Sequence, residues 1–235
     1  MKYIITSGPM ESQIDSVRKI KNSSSGKLGT VFAEQLLKRG YSDIVYIHTS
    51  GALVPNRVKT IEVDGHKQLL SALESEITDD SVIVHAMAIS DFNIKGTNPI
   101  ERVADVIYSN LDQIETRDDI VKLINANVKL TDKLSSSNDQ LVVMERAIKV
   151  IDQIKKINSN CKLIGFKLLS NVSDEELVSV ATGILNRANC DYVVANIKEQ
   201  VKTESHRAII VGNDYQQQVL SKQEIANTII DLMEE

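Results

Sequence analysis

The sequence predicts an α/β fold, a doubly wound and mostly parallel Rossmann-like sheet with a helical insertion and a C-terminal hairpin. Three observations predict it. Strand-like and helix-like stretches alternate at a spacing of roughly 25 residues, as in repeated βα units. The stretch "SVIVHAMA" is apolar on both faces, which suits a central strand covered on both sides. Finally, "RAIIVG" and "QQVL", parted by "NDYQ", end the alternation as a hairpin before the last helix.

The elements follow in order. "KYIIT" is a short buried strand, and "GKLGTVFAEQLLKRG" the first helix. In it Leu28, Val31, Phe32 and Leu36 repeat at helical spacing, and Lys38, Arg39 and Gly40 form a fitting end. "DIVYIH" and "VKTIEV" are the second and third strands, "HKQLLSALESEI" the second helix and "SVIVHAMA" the next strand. Residues 97 to 130 read as helix with a charged break, an insertion over one end of the sheet. Alternation then resumes with strand "QLVVM", helix "AIKVIDQIKKI", strand "KLIGFKL", helix "SDEELVSVATGILNR" and strand "DYVVAN". Ser173 with Glu176 forms a capping box, and Ser221 with Glu224 caps the last helix.

The chain has 235 residues, 42% hydrophobic and 25% charged, enough for one domain over 1–235 with a core that needs no disulfide or metal. A net charge of -5 argues against nucleic-acid or membrane partners. The N-terminal apolar run is too short for a secretory signal, and no run approaches the roughly 20 residues of a membrane span. Cys161 and Cys190 fit no metal spacing and suit reduced thiols, so a cytoplasmic location is expected. His48, His66, His85 and His206 are scattered, and no metal site is expected.

Within "IKNSSSGKLG", residues 20–29, Asn22 through Gly29 carry an amide, three hydroxyls, two glycines and a lysine where the first helix begins. It is not a P-loop, because Lys21 stands at the first glycine position and Leu28 at the hydroxyl position. Nor is it a dinucleotide fingerprint: Ser24 replaces a glycine, Thr6 to Gly26 is too long for a tight turn, and the second strand ends in His48 and Thr49 rather than an acid. A flexible loop capped onto the helix by Ser25 is the local alternative. A helix N-terminus at the carboxyl end of the first strand nevertheless favours an anion.

"VRKIKNSSSGKLG" resembles the phosphopantothenate–cysteine ligase family, which carries D-x-V-R-x-I-x-N-x-S-S/T-G-x-L/M-G between its first strand and helix. Asp15, Val17, Arg18, Ile20, Asn22, Ser24, Ser25, Gly26, Leu28 and Gly29 match. "AISDF" (Ala88, Ser90, Asp91, Phe92), "DKLSS" (Lys133), "IGFKL" (Ile164 to Leu168) and "AN" (Ala195, Asn196) match further family stretches in order. The resemblance covers almost the whole chain and is closest to the free-standing bacterial form. Members fused to a flavin-dependent decarboxylase have an upstream half; this chain starts at the first strand, so no flavin is expected. Pro9 stands where the family has a second glycine, Ile148 where many relatives have proline, and Arg187 near a place where some use lysine.

The resemblance implies a ligase of coenzyme A biosynthesis. The carboxylate of 4'-phosphopantothenate attacks the α-phosphorus of CTP, brought in with Mg2+, and the cysteine amine then displaces CMP from the acyl-cytidylate. Asn22 and Lys133 are the implied catalytic residues, Asn22 holding the acyl oxygen and Lys133, on a Ser-rich loop that can close, neutralising the triphosphate. Gly8, Ser25, Gly26, Asp91, Lys133, Phe166 and Arg187 are the implied nucleotide contacts, and Arg18, Asn22 and Ala88 the contacts to the acid substrate. The guanidinium fork of Arg18 suits a terminal phosphate. The family is also dimeric, so a homodimer is expected. Two other readings are an NAD(P)-dependent reductase, disfavoured by the broken glycine pattern and the lack of a Tyr-x-x-x-Lys pair, and a non-catalytic nucleotide-sensing module.

Overall fold

The computed structural model describes residues 1–201 and 205–235. They form two compact units, one of residues 1–10, 23–88 and 149–235 and the other of residues 11–22 and 89–148. Along the chain the elements are β1 (Lys2–Ser7), β2 (Glu11–Gln13), β3 (Lys19–Lys21), α1 (Lys27–Lys38), β4 (Ile44–His48), β5 (Lys59–Glu62), α2 (His66–Glu76) and β6 (Ser81–His85). They continue with β7 (Phe92–Pro99), α3 (Ile100–Tyr108), α4 (Arg117–Ala126), β8 (Gln140–Arg146), α5 (Ile151–Ile157) and β9 (Lys162–Leu169). The chain finishes with α6 (Asp174–Ala188), β10 (Tyr192–Ile197), β11 (Ala208–Val211), β12 (Gln216–Val219) and α7 (Lys222–Glu234).

The first unit contains an eight-stranded sheet in the order β12-β11-β10-β9-β6-β1-β4-β5. Strands β5, β4, β1, β6, β9 and β10 run parallel, and β11 and β12 add the antiparallel C-terminal hairpin. From β1 the chain winds outward to β4 and β5, then returns to lay β6 on the other side of β1. The direction of winding therefore reverses between β1 and β6, the place where open α/β sheets bind ligands beyond their carboxyl strand ends.

Burial explains the strand pattern. Every residue of β4 and β6 is buried, as expected of strands covered on both faces. Helix α1 turns Val31, Phe32, Ala33 and Leu36 inward, and α7 adds Ile225, Ala226, Ile229 and Ile230 to the same core. Arg39 then joins the two helices, donating to Asp231 at 2.5 Å. Ser173 accepts from Glu176 N at 3.2 Å and Ser221 from Glu224 N at 3.1 Å, so both serines cap their helices, while the return bond of a full Ser173–Glu176 capping box is not made.

The second unit holds the antiparallel ribbon β7–β8, the short hairpin β2–β3, and helices α3 and α4. Here the structure corrects the sequence reading in two places. "QLVVM" is a strand, β8, but it pairs with β7 from Pro99↔Gln140 to Phe92↔Arg146 rather than resuming the main sheet. Its partner β7 carries no strand signal in the sequence, because "FNIKGTNP" is rich in Asn, Gly and Pro, all poor strand formers. Gly96 is required in it, since a Cβ there would lie 2.6 Å from Lys129 N. The helix with a charged break expected over 97–130 is present as α3 and α4, and only its first residues, 97–99, belong instead to β7. The charged break ends in a capping box of Thr116 and Asp119 that restarts the helix as α4.

Candidate functional site

In the first unit, the parallel pairing of β1 with β6 continues past both strand ends. Ala88 N donates to Gly8 O at 2.9 Å, and Met10 N donates to Ala88 O at 3.0 Å. The N–H that Pro9 lacks is neither of these, so proline at this family glycine position leaves the pairing intact. Just inside, Thr6 Oγ1 meets His85 Nδ1 at 2.8 Å. Burial pushes the His85 imidazole down to about 4, so the ring is neutral at pH 7.

Helix α1 starts against this turn. Its N-cap is Gly26, in the left-handed region at φ 71, with no side-chain cap, so the Ser25 capping expected as the local alternative does not form. Ser25 and Ser24 face the N–H groups of Lys27 and Gly26 only at 3.4 Å. Ser7 Oγ donates to Gly26 O at 3.0 Å, holding the helix start to the end of β1. The loop after β4 closes over the same place: Leu53 N donates to Ser25 O, and Leu53 O accepts from Thr30 and Tyr46.

Glycine is needed at this turn for space as well as conformation. Gly8 has φ 97, and a Cβ there would lie 2.5 Å from Thr49 Oγ1. That hydroxyl is buried and has no hydrogen-bond partner among the described residues. A backbone turn that admits no side chain, an unspent hydroxyl and a helix N-terminus are together the components of an anion cradle.

Phe166 lies on β9 beyond its last register with β6, Val84↔Ile164. There β9 pairs on one side only, with β10, and Phe166 packs edge-on against Phe32 with centroids 6.2 Å apart. Arg187 is placed elsewhere. Helix α6 runs from the carboxyl end of β9 back to the amino end of β10, so its last turn is at the opposite end of the strands. Arg187 Nε donates there to Asp152 at 3.1 Å, joining α6 to α5. Two open grooves of about 510 and 480 Å3 run along α6 and the β11–β12 hairpin and contain none of the expected site residues.

The second unit holds Arg18, Asn22, Asp91 and Lys133, the residues of three separate sequence stretches. Asn22, just past β3, donates from Nδ2 to Ile89 O at 3.2 Å. That bond places Asn22 beside Ile89 of the "AISDF" stretch. Ser90 Oγ accepts from Phe92 N at 3.1 Å, and Asp91 O accepts from Ala147 N at 2.9 Å, leaving the Asp91 carboxylate exposed.

Asp15, which matched the family motif without a role, ties Arg18 to the backbone next to Lys133. Its Oδ1 accepts from Val17 N at 2.8 Å and Arg18 N at 2.7 Å. Its Oδ2 accepts from Arg18 NH1 at 2.5 Å and from Leu134 N at 2.9 Å. The Leu134 amide, with the other donors, holds the carboxyl well below the usual carboxylate range. Sequence could not show this, because Leu134 is 119 positions away. Among the described residues no three His, Cys, Asp or Glu side chains are grouped to hold a metal. Nor is any helix of the described residues long and apolar enough to cross a membrane.

The fold and these loops define a doubly wound α/β protein whose candidate anion cradle lies at the switch point of its sheet. A model of the family described as the DNA/pantothenate metabolism flavoprotein C-terminal domain matches residues 1–130 and 124–235, and the chain belongs to that family. It is 31% identical over 238 residues to a coenzyme A biosynthesis bifunctional protein CoaBC of Thermococcus kodakarensis, covering 99% of this chain and 51% of that protein. The CoaBC protein of Methanocaldococcus jannaschii is 25% identical over 233 residues, covering 98% of this chain and 49% of the relative. This chain thus spans about half the length of these relatives. The crystal structure of the DNA/pantothenate metabolism flavoprotein from Streptococcus pneumoniae superposes with a TM-score of 0.85 at 31% identity, covering 100% of this chain and 98% of that one. A Cab2 H337A mutant in complex with phosphopantothenate-cysteine shares the fold, at a TM-score of 0.71 and 18% identity, covering 99% of this chain and 86% of that one.

Proposed function

We propose that this chain is a phosphopantothenate–cysteine ligase of coenzyme A biosynthesis, using CTP with Mg2+ as co-substrate, in the cytoplasm and as a homodimer. The observation that carries the reading is the Asn22–Ile89 bond, which joins two family stretches in one place. The names of the CoaBC relatives and the compound bound to Cab2 support the same chemistry.

In the first step the substrate carboxylate attacks the α-phosphorus and pyrophosphate leaves. The protein must neutralise charge on the triphosphate. The exposed ammonium of Lys133 supplies a point charge, and the N-terminus of α1, with Gly8, Ser25 and Gly26, supplies backbone donors and a positive dipole end. Phe166 and Asp91 are proposed to contact the nucleotide base or ribose. Arg187 is left out of this role, because it is spent on Asp152 at the far end of the strands.

In the second step the cysteine amine attacks the acyl carbon, negative charge grows on the acyl oxygen, and CMP leaves with the carboxylate oxygen it gained. An amide NH2 has two donors. Asn22 uses one on Ile89 O, which fixes the rotamer, and the other is available to the oxyanion. Loss of such a donor typically costs about 2.7 to 4 kcal/mol of transition-state stabilisation. Arg18 is proposed to bind the terminal phosphate and Ala88 to orient the pantoate portion. The test is pyrophosphate release with CTP or ATP, 4'-phosphopantothenate, Mg2+ and cysteine, each omitted in turn. Release requiring CTP, Mg2+ and the acid supports the reading, and absence of release with either nucleotide rejects it.

A further inference from the structure

We infer that Asp15 is a positioning residue that fixes Lys133 through the backbone on both sides of it. A carboxylate has about four acceptor sites. All four of Asp15 are occupied, by Val17 N, Arg18 N, Arg18 NH1 and Leu134 N. The residue is only 4% exposed, so no acceptor remains for a ligand and the whole carboxylate serves to organise its neighbours. The next residue completes the clamp, since Ser16 N donates to Asp132 O at 2.9 Å. Residues 132 and 134 are therefore both bonded to the turn at 15–16, and Lys133 between them keeps an exposed side chain on a held backbone.

The rest of the loop differs. Ser135, Ser137 and Asn138 bond to one another, Ser135 Oγ to Ser137 Oγ at 2.7 Å and Ser137 Oγ to Asn138 at 2.7 Å. Any closing movement of this loop is thereby assigned to residues beyond Leu134, while Lys133 stays at its base as a preset charge. Preset charge stabilises a transition state without reorganisation when the reaction occurs. The same Oδ2 also holds Arg18, so one buried oxygen sets both cations that the proposed reaction uses on phosphate groups. This inference rests on the reading of Lys133 as the triphosphate's partner.

Asp15→Asn isolates the clamp. The remaining amide oxygen can still accept from Val17 N and Arg18 N, keeping the turn, while its NH2 faces Leu134 N–H and the guanidinium donor to donor. Two readouts are expected on the full chain. Hydrogen exchange at the Leu134 amide should quicken on the order of tenfold or more, with α4 amides unchanged. The first-step rate at saturating acid substrate should fall on the order of 10²-fold, as for a misplaced group. In a Lys133→Gln background the same substitution should cost almost nothing further, because it acts through Lys133. Leu134→Pro, which removes the donor and keeps the carboxylate, should reproduce the first-step loss if Asp15→Asn does not fold. A slow first step in Lys133→Gln with none in Asp15→Asn would overturn the inference and leave the ligase reading intact. Equal additional losses in both backgrounds, or at both half-reactions, would reduce Asp15 to fold support. No loss in Lys133→Gln itself would reject the role of Lys133, and the inference with it.

Discussion

The side-chain amide of Asn22 donates to the backbone carbonyl of Ile89 at 3.2 Å, although the two residues are 67 positions apart. The bond orients an exposed amide that would otherwise sample several rotamers, and it uses only one of two N–H groups. Asn22→Asp removes both donors and sets a carboxylate against a carbonyl oxygen. Adduct formation should survive in part and amide formation should fall by about 10²- to 10³-fold, as for a lost oxyanion donor. Lys133→Gln should instead slow adduct formation. Rapid-quench analysis with labelled nucleotide separates the steps, and equal losses at both steps in both variants would contradict this division.

Two helix glycines should respond oppositely to alanine. At Gly29 a Cβ would lie 2.5 Å from Ser7 Oγ and 2.7 Å from Ser7 Cβ, so α1 must move off β1. Overpacking of this kind costs about 1–3 kcal/mol, and in a chain this long each kcal/mol lowers Tm by roughly 2–4 °C. At Gly183 on α6 a Cβ meets nothing within 4 Å, and alanine should stabilise the helix by roughly 0.5–1 kcal/mol. Thermal melts of the two variants check both signs.

His85 predicts a pH dependence of stability. Its folded pKa, about 4, lies below the ordinary histidine value near 6.5. Between those values the unfolded state binds the extra proton, so stability rises with pH across pH 4 to 6.5 and is lost as pH falls. The shift corresponds to about 3 kcal/mol at pH 4. His206, whose pKa is also lowered to about 4 by burial, acts in the same direction. His85→Gln should remove one proton's share of the slope, read from melts at pH 4.5, 5.5 and 7. An unchanged slope would show that His85 titrates normally.

Much of the first unit was legible in the sequence, because its strands are covered on both faces and its helices carry one apolar stripe. "DIVYIH" and "SVIVHAMA" became fully buried β4 and β6 for that reason. The second unit was less legible. Its β2 and β3 have three residues each, too few for a periodic signal, and β7 is held by its register with β8 rather than by propensity. For the site, the motif residues could be named from sequence, but Arg187 was placed by proximity in sequence and the helix turns it to the other strand ends. The clamp of Asp15 on Leu134 is a pairing of side chain with distant backbone, which leaves no pattern in composition or spacing.

Arg18 and Asn22 stand at the two ends of β3, about 13 Å apart at strand rise. Two ends of one extended substrate are hard to serve from there within one chain, and in an isologous dimer Arg18 of one subunit can complete the site holding Asn22 of its partner. Arg18→Ala and Asn22→Ala should each be nearly inactive. Co-refolded in equal amounts, half the dimers are hybrids with one intact site each, giving about a quarter of wild-type sites. A mixture as inactive as its parents, with subunit exchange proven, would place Arg18 in its own chain's site.

The most direct test of the central claim follows the carboxylate oxygen. 4'-Phosphopantothenate labelled with 18O in its carboxylate is turned over with CTP, Mg2+ and cysteine, and the nucleotide product is analysed by mass spectrometry. Attack on the α-phosphorus followed by amide formation predicts CMP carrying one 18O and unlabelled pyrophosphate. Unlabelled CMP, or label recovered in orthophosphate, would contradict an acyl-cytidylate and the ligase mechanism built on it.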